Sequence, residues 1–215
     1  MTPSHAPISL AAQAYQVIEE MIVTLKLAPG SSFSEAELIE QTGFGRTPVR
    51  EALQRLTTQQ LIVVMPRRGM LVSDINIGAF LDILETRKAL EMLLVGQASR
   101  RASQSQREAI VATADAMAAG AARDDMHAFL AGDRALDIAV AGAARNPYAA
   151  DSLIPLHTHC RRFWFFQRHN GDMVLAANGH RRLAAAIAGG DGDGAREAVS
   201  TLILYLQSFA KSLLE

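Results

Sequence analysis

The sequence has only one cysteine, Cys160, so no disulfide can form within the chain. It has no apolar run approaching the roughly 18 to 20 residues that a bilayer-spanning helix needs. Its first residues lack the basic-then-apolar pattern of a secretion signal. Nor is there an excess of charge of either sign: a formal net charge of -1 gives, over the whole chain, no sign of a nucleic-acid partner. These absences lead to the expectation of a soluble cytoplasmic protein. What is abundant is apolar surface. With 49% hydrophobic residues, the 215 positions can support one large core or two small ones.

Charge is concentrated locally. Between Gly45 and Arg68 there are five arginines, Arg46, Arg50, Arg55, Arg67 and Arg68, against the single acid Glu51, a cationic footprint in an otherwise balanced chain. The same segment has helical periodicity. Val49, Leu53 and Leu56 fall at i, i+4 and i+7 and form one apolar stripe, while Arg46, Thr47, Arg50 and Gln54 point roughly the other way. Arginine forks at the start of a helix can grip guanine edges or phosphates, so this face suits a DNA major groove.

The surrounding pattern predicts a helix-turn-helix with a wing. Tyr15, Ile18, Ile22 and Leu25 give Leu10 to Leu27 one buried face, ended by Ala28-Pro29-Gly30. Ser34 and Glu37 form a capping box for a second helix, with Leu38 and Ile39 on its buried side. Gly43-Phe44-Gly45 breaks the chain, and Pro48 suits the first turn of the third helix. Leu61 to Met65 and Met70 to Val72 then predict a β-hairpin around Pro66-Arg67-Arg68-Gly69. A wing with arginines at its tip can lie along the DNA backbone or reach into a minor groove.

These residues, Leu27-Ala28-Pro29-Gly30, the block Arg46-Thr47-Pro48-Val49-Arg50-Glu51-Ala52-Leu53 and Pro66-Arg67-Arg68-Gly69, resemble the winged-helix domain of GntR-family bacterial transcription regulators. The resemblance implies a DNA-binding domain over residues 1–74, with Arg46, Thr47, Arg50, Gln54, Arg67, Arg68 and Gly69 at the DNA. Two positions depart from it. Gly45 stands where a Ser or Thr is usual, and Ala36 where some members have Arg.

From Asn76 onward strand signals vanish and helical periodicity takes over. Ile77 to Arg101 reads as one long helix with Leu81, Leu84, Ala89 and Leu93 among its apolar positions. Ser105 and Glu108 suggest a capping box for the next helix, which ends near Gly120. Further helices are expected over about Asp124 to Ala144, Asp151 to Arg168, Met173 to Ala188 and Gly194 to Leu214. The expected fold is thus mostly α: an N-terminal winged helix-turn-helix and, over residues 75–215, an antiparallel bundle of six or seven helices. Four adjacent aromatics, Phe163 to Phe166, cannot all face one core. One or two must meet a dimer interface, an effector wall or the inside of a large bundle.

Within this half, Asp133 and Asp137 lie on one helix face at i and i+4. From spacing alone they read as a solvated acidic face beside Arg134. However, Asp133 to Asp137 followed by Asn146-Pro147 resembles the ligand-binding domain of the FadR subfamily of GntR regulators. There an aspartate, a histidine four residues later and two more histidines hold a divalent metal that small carboxylate effectors reach. Carried over, the resemblance assigns a metal to Asp133, Asp137 and His180, with Asp137 in place of the first histidine and Leu202 in place of the last. It implies an effector site of Asp133, Asp137, His180, Asn146 and Arg87, although Arg87 within Glu85 to Glu91 equally suits a structural ion pair. Either His157 or His159 restores the lost ligand, or the metal is gone and a polar pocket meets the effector directly.

The function implied is a homodimeric, ligand-responsive regulator, a repressor with double-stranded operator DNA and a small carboxylate metabolite as partners, and with no membrane or enzymatic role. Two other readings are weaker. A metal-dependent hydrolase built on Asp133, Asp137 and His180, with His157, His159 or Cys160 as base or nucleophile, leaves the N-terminal face unexplained. An effector-free architectural protein leaves the helical half unexplained.

Overall fold

The computed structural model describes residues 8–65 and 69–214. The chain divides into two compact units, Met1–Ile75 and Asn76–Glu215. Among the described residues, no helix is long and apolar enough to cross a membrane.

The first unit contains α1 (Leu10–Val23), β1 (Ser32–Phe33), α2 (Glu35–Thr42), α3 (Arg46–Thr58), β2 (Ile62–Met65) and β3 (Gly69–Val72). The anticipated capping box is present: the Ser34 side chain accepts from Glu37 N, and Glu37 accepts from Ser34 N at 2.7 Å. Gly43 ends α2 at φ +72°, the left-handed conformation in which a Cβ is penalised. Ile18, Ile22, Leu38, Val49, Leu53, Leu56, Leu61, Ile62 and Val72 form the unit's core.

The sheet is antiparallel in the order β1-β3-β2, with Ile62 opposite Val72 and Met65 opposite Gly69. Two residues of β1 were too few to leave a periodic signal in the sequence. Gly69 has φ +87° and lies close to the Phe33 carbonyl. The wing-tip residues Pro66, Arg67 and Arg68 lie outside the described residues.

The second unit contains α4 (Ile77–Arg101), α5 (Gln104–Ala122), α6 (Met126–Ala144), α7 (Pro147–Phe166), α8 (Met173–Ala188) and α9 (Gly192–Ser212). A side-chain cap starts every one of them: Asn76, Ser103, Asp125, Asn146, Asp172 and Asp191 each accept a bond from a backbone N–H in the first turn. Two expectations need correction. The capping box of α5 is Ser103 with Gln106, not Ser105 with Glu108. Helix α7 starts at Pro147, because Asn146 caps it and proline at the first helical position needs no N–H partner.

The buried stripe of α4 also differs from the expected one. Leu84 is buried, but Leu93 is exposed and Ala89 faces outward. The stripe runs through Phe80, Arg87, Glu91, Leu94, Val95 and Ala98. Of the four aromatics, Phe163 stacks on Phe80 with centroids 3.8 Å apart and Trp164 meets Phe129 edge-on, both buried. Phe165 packs against His127, and Phe166 is 45% exposed.

Helices α5 and α6 approach closely at glycines. A Cβ on Gly132 would lie 2.6 Å from Met117 Cα, whereas one on Gly142 would meet nothing within 4 Å. Gly132→Ala is therefore expected to destabilise the bundle by about 1 to 3 kcal/mol through overpacking. Gly142→Ala on the same helix should be neutral or stabilising by up to about 1 kcal/mol through helix propensity. Urea unfolding followed by the fluorescence of the sole tryptophan, Trp164, checks both; equal effects would contradict the packing account.

Candidate functional site

Two surfaces bring together the residues singled out in the sequence, one in each unit. In the first unit, α3 buries Val49, Ala52, Leu53 and Leu56 and turns Arg46, Thr47, Arg50 and Gln54 to the outside. Gly45 caps the helix without a side-chain bond, so the first-turn N–H groups of Arg46 and Thr47 have no side-chain cap and can face an anion.

Arg46 and Arg50 converge on Glu35, the first residue of α2. Its Oε1 lies 3.1 Å from Arg46 Nε and its Oε2 lies 3.3 Å from Arg50 Nε. One carboxylate thus braces two guanidinium groups through their inner nitrogens. Arg55 is engaged differently: its guanidinium lies 3.8 Å from the centre of the Tyr15 ring. It belongs to the packing of α3 on α1 rather than to the outward row. Glu35 went unnoticed in the sequence because it lies eleven residues from Arg46, across a turn.

The second surface is a buried polar network between α4, α6, α7 and α8. Arg87 Nε donates to Glu91 Oε1 at 2.8 Å, the ion pair expected of it. His157 Nε2 lies 2.7 Å from the same Glu91 oxygen, and its Nδ1 lies 2.9 Å from Asp137 Oδ2. With a carboxylate at each ring nitrogen, both nitrogens must donate, so the ring is an imidazolium.

Arg161 Nη1 donates to Asp137 Oδ2 at 2.9 Å and to Asp133 Oδ2 at 3.3 Å, placing its guanidinium between the two aspartates. His180 Nδ1 bonds the Ala176 carbonyl at 2.8 Å, which turns Nε2 toward Asp133 Oδ1 at 3.5 Å. Leu202 packs over Gly179 beside it, leaving no room for a Cβ there.

The spacing had suggested a solvated acidic face; instead Asp133 and Asp137 are mostly buried, with side chains 15% and 20% exposed. The three residues assigned to a metal do not form one donor cluster. The group whose donor atoms fall within 4.8 Å of one another, among the described residues, is Glu91, Asp137 and His157. Of the two alternative histidines, His157 joins the network and His159 lines neither cavity described below. Asn146 caps α7, likewise away from both cavities. Arg161 was missed, since nothing in its local sequence separates it from Arg162 beside it.

Burial by itself penalises every charge in this network, yet the pairing outweighs it. The Arg87 guanidinium and His157 hold the Glu91 carboxyl below its ordinary range, and His157 and Arg161 do the same for Asp137. Desolvation would lower the pKa of His157, but Asp137 and Glu91 raise it from 6.5 to about 8. Burial pushes the Cys160 thiol up, which leaves it protonated and unsuited to the nucleophile role of the hydrolase reading.

Two small cavities, of about 20 and 10 Å³, flank the network and share Arg87, His180 and Leu202 as walls. The larger is also lined by Glu91, Asp137 and His157 on its polar side and by Leu94, Val95, Leu136, Val140 and Leu183 on its apolar side. Each has room for roughly one water molecule.

The raised pKa of His157 fixes the sign of a pH effect. A group that binds its proton more tightly when folded stabilises the fold fully below its unfolded pKa, and that contribution is lost as pH rises through the folded value. Stability is therefore expected to fall by about 2 kcal/mol between pH 6.5 and somewhat above pH 8. His157→Gln should flatten this dependence. A urea-unfolding series in Trp164 fluorescence measures it, and a flat wild-type profile would refute the assignment.

The comparisons with known proteins bear on both surfaces. Residues 10–72 match the family described as bacterial regulatory proteins, gntR family, and residues 82–204 match the FCD domain. The galactonate operon transcriptional repressor of Escherichia coli (strain K12) is 28% identical over 208 residues, covering 86% of this chain and 89% of that protein. A shorter match, 40% identical over 78 residues, is to an uncharacterized HTH-type transcriptional regulator in an unstable DNA locus of Streptomyces ambofaciens; it spans 36% of this chain and only 33% of that relative. Among solved structures, Escherichia coli McbR/YncC superposes with a TM-score of 0.85 at 19% identity, covering 97% of this chain and 100% of that one. A putative GntR regulator from Rhodococcus sp. RHA1 gives 0.72 at 17%, covering 95% and 99%. At such identities the structures speak for the fold, while the FCD match spans more than half of the chain. The protein belongs to the FCD-containing regulators of the GntR family, a family of transcription regulators and not of enzymes.

Proposed function

We propose that the protein is an effector-responsive repressor that binds operator DNA as a homodimer. Support comes from the outward row Arg46, Thr47, Arg50 and Gln54 on α3, and from relatives named as transcriptional repressors. A single helix makes few base contacts. A two-fold pair of them doubles the contacts on a palindromic site.

In this reading Arg46 and Arg50 contact base edges or phosphates, Thr47 and Gln54 add hydrogen bonds, and Arg67, Arg68 and Gly69 make further contacts to the DNA. Glu35 acts as a brace. It grips the two arginines by Nε and leaves their terminal nitrogens to face DNA as pre-aligned forks. Bracing costs affinity, because a carboxylate near phosphates repels them. It gains discrimination, because a held fork fits one base edge better than another.

The effector site proposed is the cavity lined by Arg87, Asp137, His157 and His180, with Asp133 and Arg161 behind it. Binding there shifts DNA affinity only if the ligand favours one of two conformations of the protein. Its present volume is far below the roughly 300 Å³ or more of a typical ligand site, so an effector must select a more open bundle.

Fluorescence anisotropy with a selected operator duplex tests the DNA reading. Arg50→Ala should weaken binding by about 1 to 3 kcal/mol, and wild-type affinity should fall steeply with salt. Salt-independent binding, or unchanged affinity in that variant, would contradict it. Glu35→Gln should bind random-sequence DNA more tightly while its preference for operator drops about tenfold. An unchanged preference ratio would eliminate the brace.

A further inference from the structure

The resemblance that identifies the bundle also implies a metal held by one carboxylate and three histidines. The residues present do not fit it. Of the four positions, Asp133 and His180 alone face each other as donors, with Oδ1 and Nε2 3.5 Å apart. Asp137 Oδ2 is already shared by His157 Nδ1 and Arg161 Nη1. The fourth position is Leu202, whose side chain fills the space against Gly179 and is itself buried.

The decisive group is Arg161. A divalent ion bridging Asp133 and Asp137 would lie about 2.1 Å from an oxygen of each. Arg161 Nη1 already sits within 3.3 Å of both Oδ2 atoms, so an ion there would press against a guanidinium in a weakly screened interior. Expelling that guanidinium would take a side chain now 8% exposed away from both of its carboxylate partners. The carboxylates are also already engaged: Glu91, Asp133 and Asp137 have Arg87, Arg161 and a His157 ring nitrogen at hydrogen-bond distance.

We infer that Arg161 is a built-in counter-cation standing where the resemblance would place a metal, and that the nearby group of Glu91, Asp137 and His157 is held together by hydrogen bonds at both His157 ring nitrogens, with neither left for an ion, so that the pocket operates without any resident metal ion. This inference rests on the network being the effector site, and it specifies the ligand's chemistry. An effector here is an oxygen-rich small molecule held by hydrogen bonds from guanidinium and imidazolium N–H groups, and by carboxylates accepting from its hydroxyls, rather than by a coordinate bond.

The test uses the full-length protein. After dialysis against EDTA, wild type is loaded with Mn(II), Ni(II) or Zn(II) at micromolar excess, then examined by elemental analysis, calorimetric titration and thermal melting. Wild type should retain no stoichiometric metal, and its melting temperature should not move. The double variant Arg161→Ala/Leu202→His removes the wedge and supplies an imidazole at the fourth corner. It should bind one equivalent of Ni(II) and melt about 5 to 10 °C higher when the ion is at about 100 times its Kd.

One tightly bound equivalent in wild type overturns the inference, whether or not the variant folds. A folded variant that gains no metal overturns it too, since Arg161 would then not be what excludes the ion. Operator binding by wild type, measured with and without EDTA, separates this from the functional reading. Binding unaffected by EDTA agrees with a metal-free pocket, binding lost in EDTA contradicts it, and failure to bind operator in both conditions counts against the regulator assignment instead.

Discussion

The charge compensation between Arg161 and the aspartates of α6 is the constraint on which the bundle's interior depends. Three carboxylates taken out of water would be prohibitive in isolation, and each is tolerated because a basic side chain reaches it from a neighbouring helix. The geometry follows from the elements. Asp133 and Asp137 project from one face of α6, Arg87 and Glu91 stand at the same four-residue spacing on α4, and His157 and Arg161 repeat it on α7. Three i, i+4 pairs meet in one layer, so displacing any one of these helices breaks bonds on the others. Polar networks of this kind specify an arrangement more than they stabilise it, since an apolar layer would cost less to bury.

Much of the fold is legible in the sequence because local chemistry determines it. The Ser34 and Glu37 box, the left-handed Gly43, and the row of Val49, Leu53 and Leu56 each depend on residues within a turn or two of one another. Misreadings occur where two local solutions compete. Ser103 and Ser105 both offer a hydroxyl followed three residues later by Gln or Glu, and only the preceding helix, ending at Arg101, decides for Ser103. On α4 the leucine spacing suggests an apolar stripe through Leu81, Leu84 and Leu93. The real stripe carries Arg87 and Glu91, which a hydrophobic pattern counts as surface.

The sites are less legible, for a related reason. Asp133, Asp137 and His180 could be named from a family resemblance, but their use is set by Arg161 on another helix and by what occupies position 202. Glu35 poses the same problem in the first unit, since its partners are brought to it by the turn at Gly43 to Gly45. Sequence patterns identify which groups are capable of a chemistry, whereas partners supplied across helices decide which chemistry is performed.

The small cavity beside Leu94, Val95, Leu136 and Val140 would, as the proposed effector site, separate two properties of the response. A ligand that must wait for an open bundle binds with its intrinsic affinity reduced by the fraction of molecules already open. On the proposed effector site, the polar network would determine which molecule is recognised, and the packing of the apolar wall would determine at what concentration it is noticed. Selectivity and set point would then reside in different side chains, and trimming a valine would move the response threshold without rewriting the chemistry of recognition.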